Sequence, residues 1–520
     1  MQAIPEFAAS TGLQRIGGQA RRTRVPAKQT LQVRAATTYD AASHTRRTAK
    51  WHAPTVDPNS LLSNLTTLRD RSRAADRNDG VATAIIDTLV SNIIGDGILP
   101  LSQATDPTFR AALHARWRRW TDESDADGLL PFEGQQAQAC RTWLVGGDCF
   151  ARLRPRLPKD GLSVPFQVQV VEPELCPHTY TVTRPNGNRV RAGIEFDGIG
   201  RRVGYWFHRS RPGDLLDYDR SQLVFLPADA VIHLYSPRRP GQLRGLPRLT
   251  QALIKLYELD KYDDAVLYRQ ELGNMFLGFI RRPATTGEEA AIHPLTGQVI
   301  TGTDVPTLTF EPGTLQELEP GEEMQFSEPP DVGSNYADFM RAQLSIACNS
   351  AGVPYEVVTG DMRGLNDRTM RVIVNEFRRQ IQAAQHQIFA HQFCRRVFRA
   401  WLDRAFFAEA LPIPLTYLDD PSPWAAVKWM PPKWQYLHPV QDVQAQKEAI
   451  RNGFTSRQSV VAENGEDAEA IDAEQQADNA RADALGLRYD SDGRQAQAST
   501  RRETAEPIEP IEPVTEGAPA

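Results

Sequence analysis

One interval of this chain, residues 365–411, contains neither glycine nor proline. Because these two residues most often end or bend a helix, such an interval favours one long helix. Asn366 or Asp367 could cap its first turn. Some forty helical residues would span roughly 65 Å, which is more typical of an elongated subunit than of a compact enzyme, although a long core helix in an unrelated α-rich protein also fits. The apolar residues follow the 3.6-residue period of a helix, at Met370, Ile373, Val374, Phe377, Ile381, Ala384 and Ile388, then Phe389, Phe393, Val397, Trp401 and Leu402.

Residues 229–280 form a second informative segment, in which the expected secondary structure changes three times. The apolar residues 231–235 predict a strand, and residues 236–247, rich in Arg, Pro and Gly, predict a loop. A helix follows, and a short apolar strand closes the segment. No enzyme motif occurs in it. The apolar positions of the helix are Leu253, Leu256, Leu259, Tyr262, Val266 and Leu267.

The charge of this chain is concentrated at its two ends. Residues 1–35 contain six basic residues and one glutamate, whereas residues 462–520 contain fifteen acidic residues and five arginines. Since the formal net charge is −6, the region between them is close to neutral. A protein that grips double-stranded DNA usually has a basic domain, so any DNA that meets this region is expected to slide past it.

The remaining composition sets broad limits. No run of 18 apolar residues predicts a membrane-spanning helix. The five cysteines are scattered and form no CxxC pair, which favours small buried side chains in a reducing cytosol. Helical periodicity dominates residues 60–149, whereas alternating apolar residues with Asn-Gly and Asp-Gly turns predict a mostly antiparallel sheet in residues 150–236.

The sequence motifs give no support for catalysis, a cofactor or a metal. There is no GxxxxGK[ST], GxSxG or HExxH. Gly198, Gly200 and Gly204 come near to a GxGxxG pattern, but they fall between two predicted strands and so predict a turn. His386 and His391 are five residues apart, which is the wrong spacing for a shared metal on one helical face. We therefore expect no catalytic, cofactor-binding or metal-ligating residues.

Several segments, taken in order, carry a resemblance to a known family. They include residues 65–98 with LTTLRDRSRAADRND, residues 143–156 with WLVGGDCFARLRPR, the turn RRPGQLRGLP, the segment NYADFMRAQLSIACNSAGVPYEVVTGDM, and WMPPKWQYLHPVQD. The chain resembles the lambda-type portal proteins of tailed bacteriophages from near Asn59 to about Asp490. Gly-Gly-Asp stands where the family has Gly-Glu, and Leu-His-Pro where it has Val-Asp-Pro. These departures are mild, and the number and order of the motifs make the resemblance specific.

The resemblance implies an α+β fold, with long stem and spine helices, a mostly antiparallel β wing and a small α/β clip in an elongated subunit that assembles as a ring. In chain order it implies a flexible basic arm (1–57), a wing of helices then strands (58–247), a stem helix (248–273), the clip (274–333), a second stem helix (334–352), a tunnel loop (353–367), a long spine helix (368–411), a segment near the crown (412–461) and an acidic, largely disordered tail (462–520).

It also implies a structural role. Such rings, usually of twelve identical subunits, occupy one vertex of the capsid in the virion and are assembled in the host bacterial cytoplasm. Double-stranded DNA passes through the channel without sequence specificity during packaging and ejection. The implied partners are the terminase large subunit, head–tail adaptor proteins, and the major capsid and scaffold proteins, with no membrane and no cofactor. Other members of the family are trimmed at the N-terminus, and residues 19–24 are a plausible place for this.

Channel residues can be chosen only by charge and position. We expect Lys255, Lys261 and Arg269 of the stem helix, with Arg363 and Arg368 near the tunnel loop, to face DNA, although each could instead be solvated or paired between subunits. Glu356, Thr359, Asp361 and Asn366 are the expected tunnel-loop residues. Two other classes stay open, namely another head–tail adaptor or scaffold-like virion component, and an enzyme subunit of the packaging machinery.

Overall fold

The computed structural model describes residues 56–210, 222–275, 279–281, 295, 323–325, 335–432, 434, 439–464, 466–487 and 489. These residues combine helices with antiparallel strands, which confirms the mixed α+β prediction. The predicted basic arm, most of the predicted clip and the end of the acidic tail lie outside the described residues.

The chain begins with helices, as the periodicity predicts. Asp79 caps the second one by accepting hydrogen bonds from the backbone N–H groups of Val81 and Ala82, at 2.9 and 3.0 Å. Helix α4 ends at Gly146, three residues before the predicted end, because Gly147 turns the chain with a φ of +88°. The elements are α1 (Leu65–Asn78), α2 (Gly80–Ile93), β1 (Leu99–Ser102), α3 (Pro107–Thr121) and α4 (Phe132–Gly146).

The strands that follow form two antiparallel sheets. In the first sheet the order is β3-β2-β9, and in the second it is β4-β5-β6-β7-β8. Gly198 and Gly200 lie in the connection between β6 and β7, which confirms the turn prediction for these two glycines, whereas Gly204 lies within β7 and pairs with Pro227. The strands are β2 (Asp148–Pro155), β3 (Phe166–Val171), β4 (Val182–Thr183), β5 (Arg189–Arg191), β6 (Ile194–Phe196), β7 (Arg202–His208), β8 (Leu223–Pro227) and β9 (Val231–Tyr235).

Next come two helices, α5 and α6, and the two short strands β10 and β11 lie between them in the sequence. The described part of the predicted clip is the antiparallel pair of β10 and β11, in which Phe279 lies opposite Gln325. The elements are α5 (Leu253–Met275), β10 (Phe279–Arg281), β11 (Glu323–Gln325), α6 (Tyr336–Ala351) and the short α7 (Tyr355–Thr359).

The long helix is continuous from Asp367 to Phe407 but changes its winding in the middle. It consists of α8 (Asp367–Ala383), a π segment (Ala384–Cys394) and α9 (Arg395–Phe407). Asn366 caps it, since its side chain accepts from Thr369 N at 2.8 Å. In the π segment Gln385 donates to the carbonyls of Asn92 and Ile93 at 3.0 Å. The wider π turn thus coincides with a buried glutamine whose side chain donates hydrogen bonds to the free carbonyl groups at the C-terminal end of α2.

The core lies between these helices and the three-stranded sheet. Trp117 and Trp120 share one face of α3, with ring centroids 4.8 Å apart, and Trp117 packs edge-on against Trp401 of α9 at 5.0 Å. A second apolar cluster surrounds Phe150, which packs against Phe207 at 5.3 Å. Aromatic burial of this extent is a large contribution to stability.

The C-terminal elements return to the first helices. β12 (Val427–Met430) pairs with β1, and α10 (Pro439–Arg451), α11 (Arg457–Glu463) and α12 (Ala468–Leu485) follow. Helix α12 lies within the tail that was predicted to be largely disordered. Its ends are capped by Asp467 and Gly486, and Arg110 of α3 donates to both carboxylate oxygens of Glu469 at 2.8 and 3.0 Å. Caps and a bidentate ion pair stabilise a helix that composition alone does not favour.

Candidate channel segment and buried charge cluster

Helices α5 and α6 run antiparallel, and residues 255–263 of α5 contact residues 336–343 of α6. Lys255 Nζ donates to Gln343 Oε1 at 2.5 Å, and further along α5 the Tyr336 hydroxyl donates to Asp263. Between these points Tyr262 packs on Phe339, with ring centroids 5.3 Å apart. The contacts run in opposite directions along the two helices, from Lys255 to Asp263 on α5 and from Gln343 to Tyr336 on α6. An antiparallel helix pair of this kind is the arrangement expected for the two stem helices.

Large apolar side chains of α5 are exposed in the single subunit. Ile254 is 74% exposed, Leu267 and Tyr268 are each 61% exposed, and Tyr257 is 58% exposed. Charged residues such as Glu258 and Asp260 alternate with them along the helix. Exposed apolar residues gathered on one helix indicate a surface that another molecule covers.

The basic residues that were expected to face DNA on α5 differ in their surroundings. Lys255 is half-buried and bonds to α6. Lys261 is exposed, with its ammonium 4.0 Å from the ring centroid of Tyr257, and a hydrogen bond to Tyr257 raises the pKa of Lys261. Arg269 is exposed. Of the three, Lys255 is held between the helices, whereas Lys261 and Arg269 present their charge to solvent.

The predicted tunnel loop is ordered around Asp361. Arg363 donates to both carboxylate oxygens of Asp361 at 2.8 Å, and the Tyr355 hydroxyl donates at 3.2 Å. Arg341 of α6 lies 3.6 Å from the same carboxylate and donates to Arg363 O at 2.8 Å. These side-chain bonds from Arg363 hold the pKa of Asp361 well below its usual range. The loop is therefore tied to α6 through one carboxylate.

The other expected loop residues support its backbone. Thr359 Oγ1 donates to Tyr355 O at 2.9 Å, and Asn366 caps the long helix. Glu356 is half-buried, and its charge adds to the burial that raises the pKa of Cys348 to about 11. Arg368 is exposed at the start of α8. The structure thus brings Thr359, Asp361 and Arg363 into one turn and leaves Arg368 separate.

A buried charge cluster, which we define as Arg69, Asp148, His233 and Arg244, lies where α1, β2, β9 and residues 239–245 (the RPGQLRG loop) meet. The Asp148 carboxylate accepts from Arg69 on one oxygen and from Arg244 on the other. His233 Nε2 lies 3.2 Å from the same carboxylate. Asp148, Arg69 and Arg244 are each at most 1% exposed as side chains. In the sequence Asp148 stood out only as part of Gly-Gly-Asp, so sequence reasoning missed this cluster.

The cluster connects four parts of the fold. Arg244, from the RPGQLRG loop, also donates to the carbonyls of Cys176, Ala192 and Pro173 at 2.9, 3.2 and 3.0 Å. Arg69 of α1 donates to Gly146 O at 2.8 Å. Since both guanidiniums are satisfied by carbonyls as well as by the carboxylate, the buried charges are well compensated.

Burial and charge shift the pKa values of the cluster in defined directions. Burial alone would raise the pKa of Asp148, but the charges of Arg244 and Arg69 hold it well below its usual range. Burial lowers the pKa of His233 to about 4, so the ring is neutral near pH 7. A neutral His233 donates from Nε2 to Asp148. The charged groups of the cluster satisfy one another and the neighbouring carbonyls, so the site holds α1, β2 and the RPGQLRG loop together.

Two glycines make the junction possible. A Cβ atom on Gly245 would lie 1.9 Å from Gly147 O, and one on Gly147 would lie 2.7 Å from Leu246 C. The backbone of the RPGQLRG loop therefore packs directly on the turn between α4 and β2, which allows Arg244 to reach Asp148.

Among the residues that the structure describes, no group of three His, Cys, Asp or Glu side chains is placed to hold a metal ion. Within the same residues, none of the helices combines the length and the apolar character needed to cross a bilayer.

Comparison with known families identifies the class of protein. The family described as "Phage portal protein, lambda family" matches residues 44–385, which include the helix pair, the tunnel loop and the buried cluster. This chain belongs to the lambda family of phage portal proteins, which confirms the resemblance seen in its motifs.

Individual relatives agree with this. The chain is 25% identical to the "Probable portal protein" of Halomonas phage phiHAP-1 over 78% of each chain. It is 20% identical to "Portal protein B" of Escherichia phage lambda and 19% identical to the "Portal protein" of Escherichia phage N15, in both cases over 84% of this chain and 88% of the relative.

Among solved structures, the chain is similar to one in "Neck of empty GTA particle computed with C6 symmetry", with 16% identity and a TM-score of 0.41 over 80% of this chain and 97% of that chain. A chain in "Neck of native GTA particle computed with C12 symmetry" matches with 14% identity and a TM-score of 0.39 over 78% and 93%.

Proposed function

We propose that this chain is the subunit of a portal ring of about twelve copies that forms a channel for double-stranded DNA at one vertex of a phage capsid. The observation that carries the proposal is its membership of the lambda portal family across residues 44–385, which span the helix pair and the tunnel loop. DNA enters through the ring during packaging and leaves through it during ejection.

The exposed apolar residues of α5 support assembly into a ring. Ile254 and Leu267 are 74% and 61% exposed in the single subunit, and they lie near opposite ends of one helix. Contact with α5 or α6 of a neighbouring copy would remove them from water, and each buried side chain of this size contributes about 1.5–3 kcal/mol. In a closed ring every subunit has two such neighbours, so no copy leaves these residues exposed.

The charge distribution supports a channel through which DNA slides. The stem helix mixes Lys255, Lys261 and Arg269 with acidic residues, and in the tunnel loop Arg363 is neutralised by Asp361. A lumen of mixed charge would meet the phosphates without holding them, because tight binding needs many unneutralised basic groups. Arg269 and Arg368, which are exposed, are the strongest candidates to face DNA.

The regions of the subunit follow the family order. In this proposal the helices and strands up to residue 247 form the wing, α5 and α6 the stem, β10 and β11 part of the clip, residues 353–367 the tunnel loop and the long helix the spine. The ring would sit in the virion after assembly in the host cytoplasm, nucleate the procapsid with capsid and scaffold proteins, dock the terminase large subunit, and then bind head–tail adaptors.

Charge-reversal variants test the DNA-facing residues. Arg269→Glu and Arg368→Glu are compared with Arg119→Glu, whose side chain on α3 of the wing is 68% exposed. Particles are assembled with each variant, and the DNA packaged per particle is measured. We expect the two lumen variants to lower the packaged DNA and the wing variant to leave it unchanged. Equal packaging in all three would contradict the assignment of these residues to the lumen.

A further inference from the structure

A narrow cleft of about 310 Å³ lies where α2, α4, the RPGQLRG loop and the long helix meet. One wall is apolar and includes Leu89 and Ile93 of α2 and Trp143 of α4. The opposite side carries Arg238 and Arg248. The cleft is thus apolar on one side and positively charged on the other.

The two arginines have no acidic partner among the residues that the structure describes. Arg248 Nε donates to Ala351 O at 2.6 Å, and no described carboxylate lies within ion-pair distance of either guanidinium or lines the cleft. Burial, together with the charge of Arg238, lowers the pKa of Arg248. Two guanidiniums that repel each other in one cleft favour an anionic ligand.

The sequence contains a segment with matching chemistry. Residues 506–514 read Glu-Pro-Ile, Glu-Pro-Ile, Glu-Pro-Val. Proline favours the polyproline II conformation, which has three residues per turn. In that conformation Glu506, Glu509 and Glu512 would form one row, about 9 Å apart, and the two isoleucines with Val514 would form another. The repeat is therefore expected to be anionic on one face and apolar on the next.

We propose that this Glu-Pro-Ile repeat docks in the cleft, with its glutamates against Arg238 and Arg248 and its isoleucines against the apolar wall. Two features support this occupant. The charges of the repeat and the cleft are opposite, and both the repeat and the cleft have one apolar side next to one charged side. The described residues end at Tyr489, and the intervening residues would reach up to roughly 55 Å when extended. The C-terminal tail would then brace the junction of wing, stem and spine.

Site-specific cross-linking in the full-length protein tests the proposal. Ile511→Cys is labelled with a benzophenone maleimide, irradiated and mapped by mass spectrometry. The native cysteines interfere little, because all five are buried and burial raises the pKa of their thiols. We expect cross-links to residues 236–248 and 380–388.

Two charge-reversal variants make the test specific. In Arg238→Glu we expect the cross-link yield at the cleft to fall about fivefold, whereas Arg239→Glu, at the neighbouring exposed position outside the cleft lining, should retain it. Neutralising the tail with Glu506→Gln, Glu509→Gln and Glu512→Gln should reproduce the loss. Cross-links confined to other surfaces, or equal yields in Arg238→Glu and Arg239→Glu, would overturn the proposal.

Discussion

Arg244 donates a hydrogen bond to Asp148 in an ion pair from which solvent is completely excluded. The two residues are 96 positions apart in sequence, so the pair fixes the RPGQLRG loop against the start of β2. Because α5 begins shortly after this loop, the pair also fixes the start of α5 relative to the β3-β2-β9 sheet.

Removing the negative charge of the cluster should be strongly destabilising. In Asp148→Asn, Arg69 and Arg244 would remain buried without a counter-charge, and we expect the free energy of unfolding to fall by about 3–5 kcal/mol. The same substitution at Asp87, an exposed partner of Arg141, should cost less than about 1 kcal/mol. Urea denaturation followed by circular dichroism measures both. Similar losses in the two variants would show that the cluster is not a stabilising junction.

The cluster should also make stability depend on pH. The pKa of His233 is lowered to about 4 in the folded state, against roughly 6.5 in the unfolded chain. Between these values only the unfolded state binds the proton, so stability falls as pH decreases, by about 2 kcal/mol at pH 5. The lowered pKa of Asp148 acts in the same direction, and its contribution is lost only below about pH 4.

The variant His233→Gln retains an N–H donor but cannot titrate. We expect its free energy of unfolding to change less between pH 7 and pH 5 than that of the unmodified protein. His386→Gln, at an exposed position of the π segment, serves as the control and should keep the original slope. An unchanged slope in His233→Gln would exclude His233 as its source.

The close packing of Gly245 on Gly147 predicts a steric effect. In Gly245→Ala the new methyl group would meet the carbonyl oxygen of Gly147 at 1.9 Å, so the loop must move away and Arg244 with it. We expect a loss of about 3 kcal/mol or more, as for a disrupted buried network. Gly198→Ala, where no atom lies within 4 Å, should change stability by less than about 0.5 kcal/mol. Thermal unfolding distinguishes the two, and a small effect at Gly245 would contradict the packing described.

The exposed apolar residues of α5 predict an effect on assembly and not on folding. Ile254→Lys and Leu267→Lys replace residues that are exposed in the single subunit, so the unfolding midpoint of the monomer should not change. If α5 lies between subunits, each buried lysine opposes association, and light scattering after size-exclusion chromatography should show fewer rings. Leu129→Lys, at a residue that is 81% exposed in the wing, is the matched control. Normal rings in both α5 variants would place the subunit interface elsewhere.

The helices and sheets of this chain could largely be predicted from its sequence, because periodicity is a local signal. The apolar stripe from Met370 onward and the cap at Asn366 predicted the long helix. The π segment could not be predicted in this way, since it coincides with a contact from Gln385 to the end of α2, which is 292 residues away. Arg69, Asp148 and Arg244 were missed for the same reason, because single charged residues show no pattern until the fold brings them together.

The tail and the channel mark the other limits of sequence reasoning. Acidic composition predicted disorder, but Arg110 and the cap at Asp467 support a helix in residues 468–485. Charge alone placed Lys255 with the DNA-facing residues, whereas in the structure its ammonium bonds to Gln343 of α6. Which basic groups face the lumen depends on the arrangement of neighbouring copies, and a single chain does not contain that information.

The mass and symmetry of the purified protein test the central claim most directly. Native mass spectrometry gives the number of copies, and electron microscopy of the same sample shows whether they enclose a hole. We predict a closed ring of about twelve subunits with a central channel, alone or after co-expression with a capsid scaffold. A monomer or dimer under both conditions would contradict the assignment of this chain as a portal ring subunit.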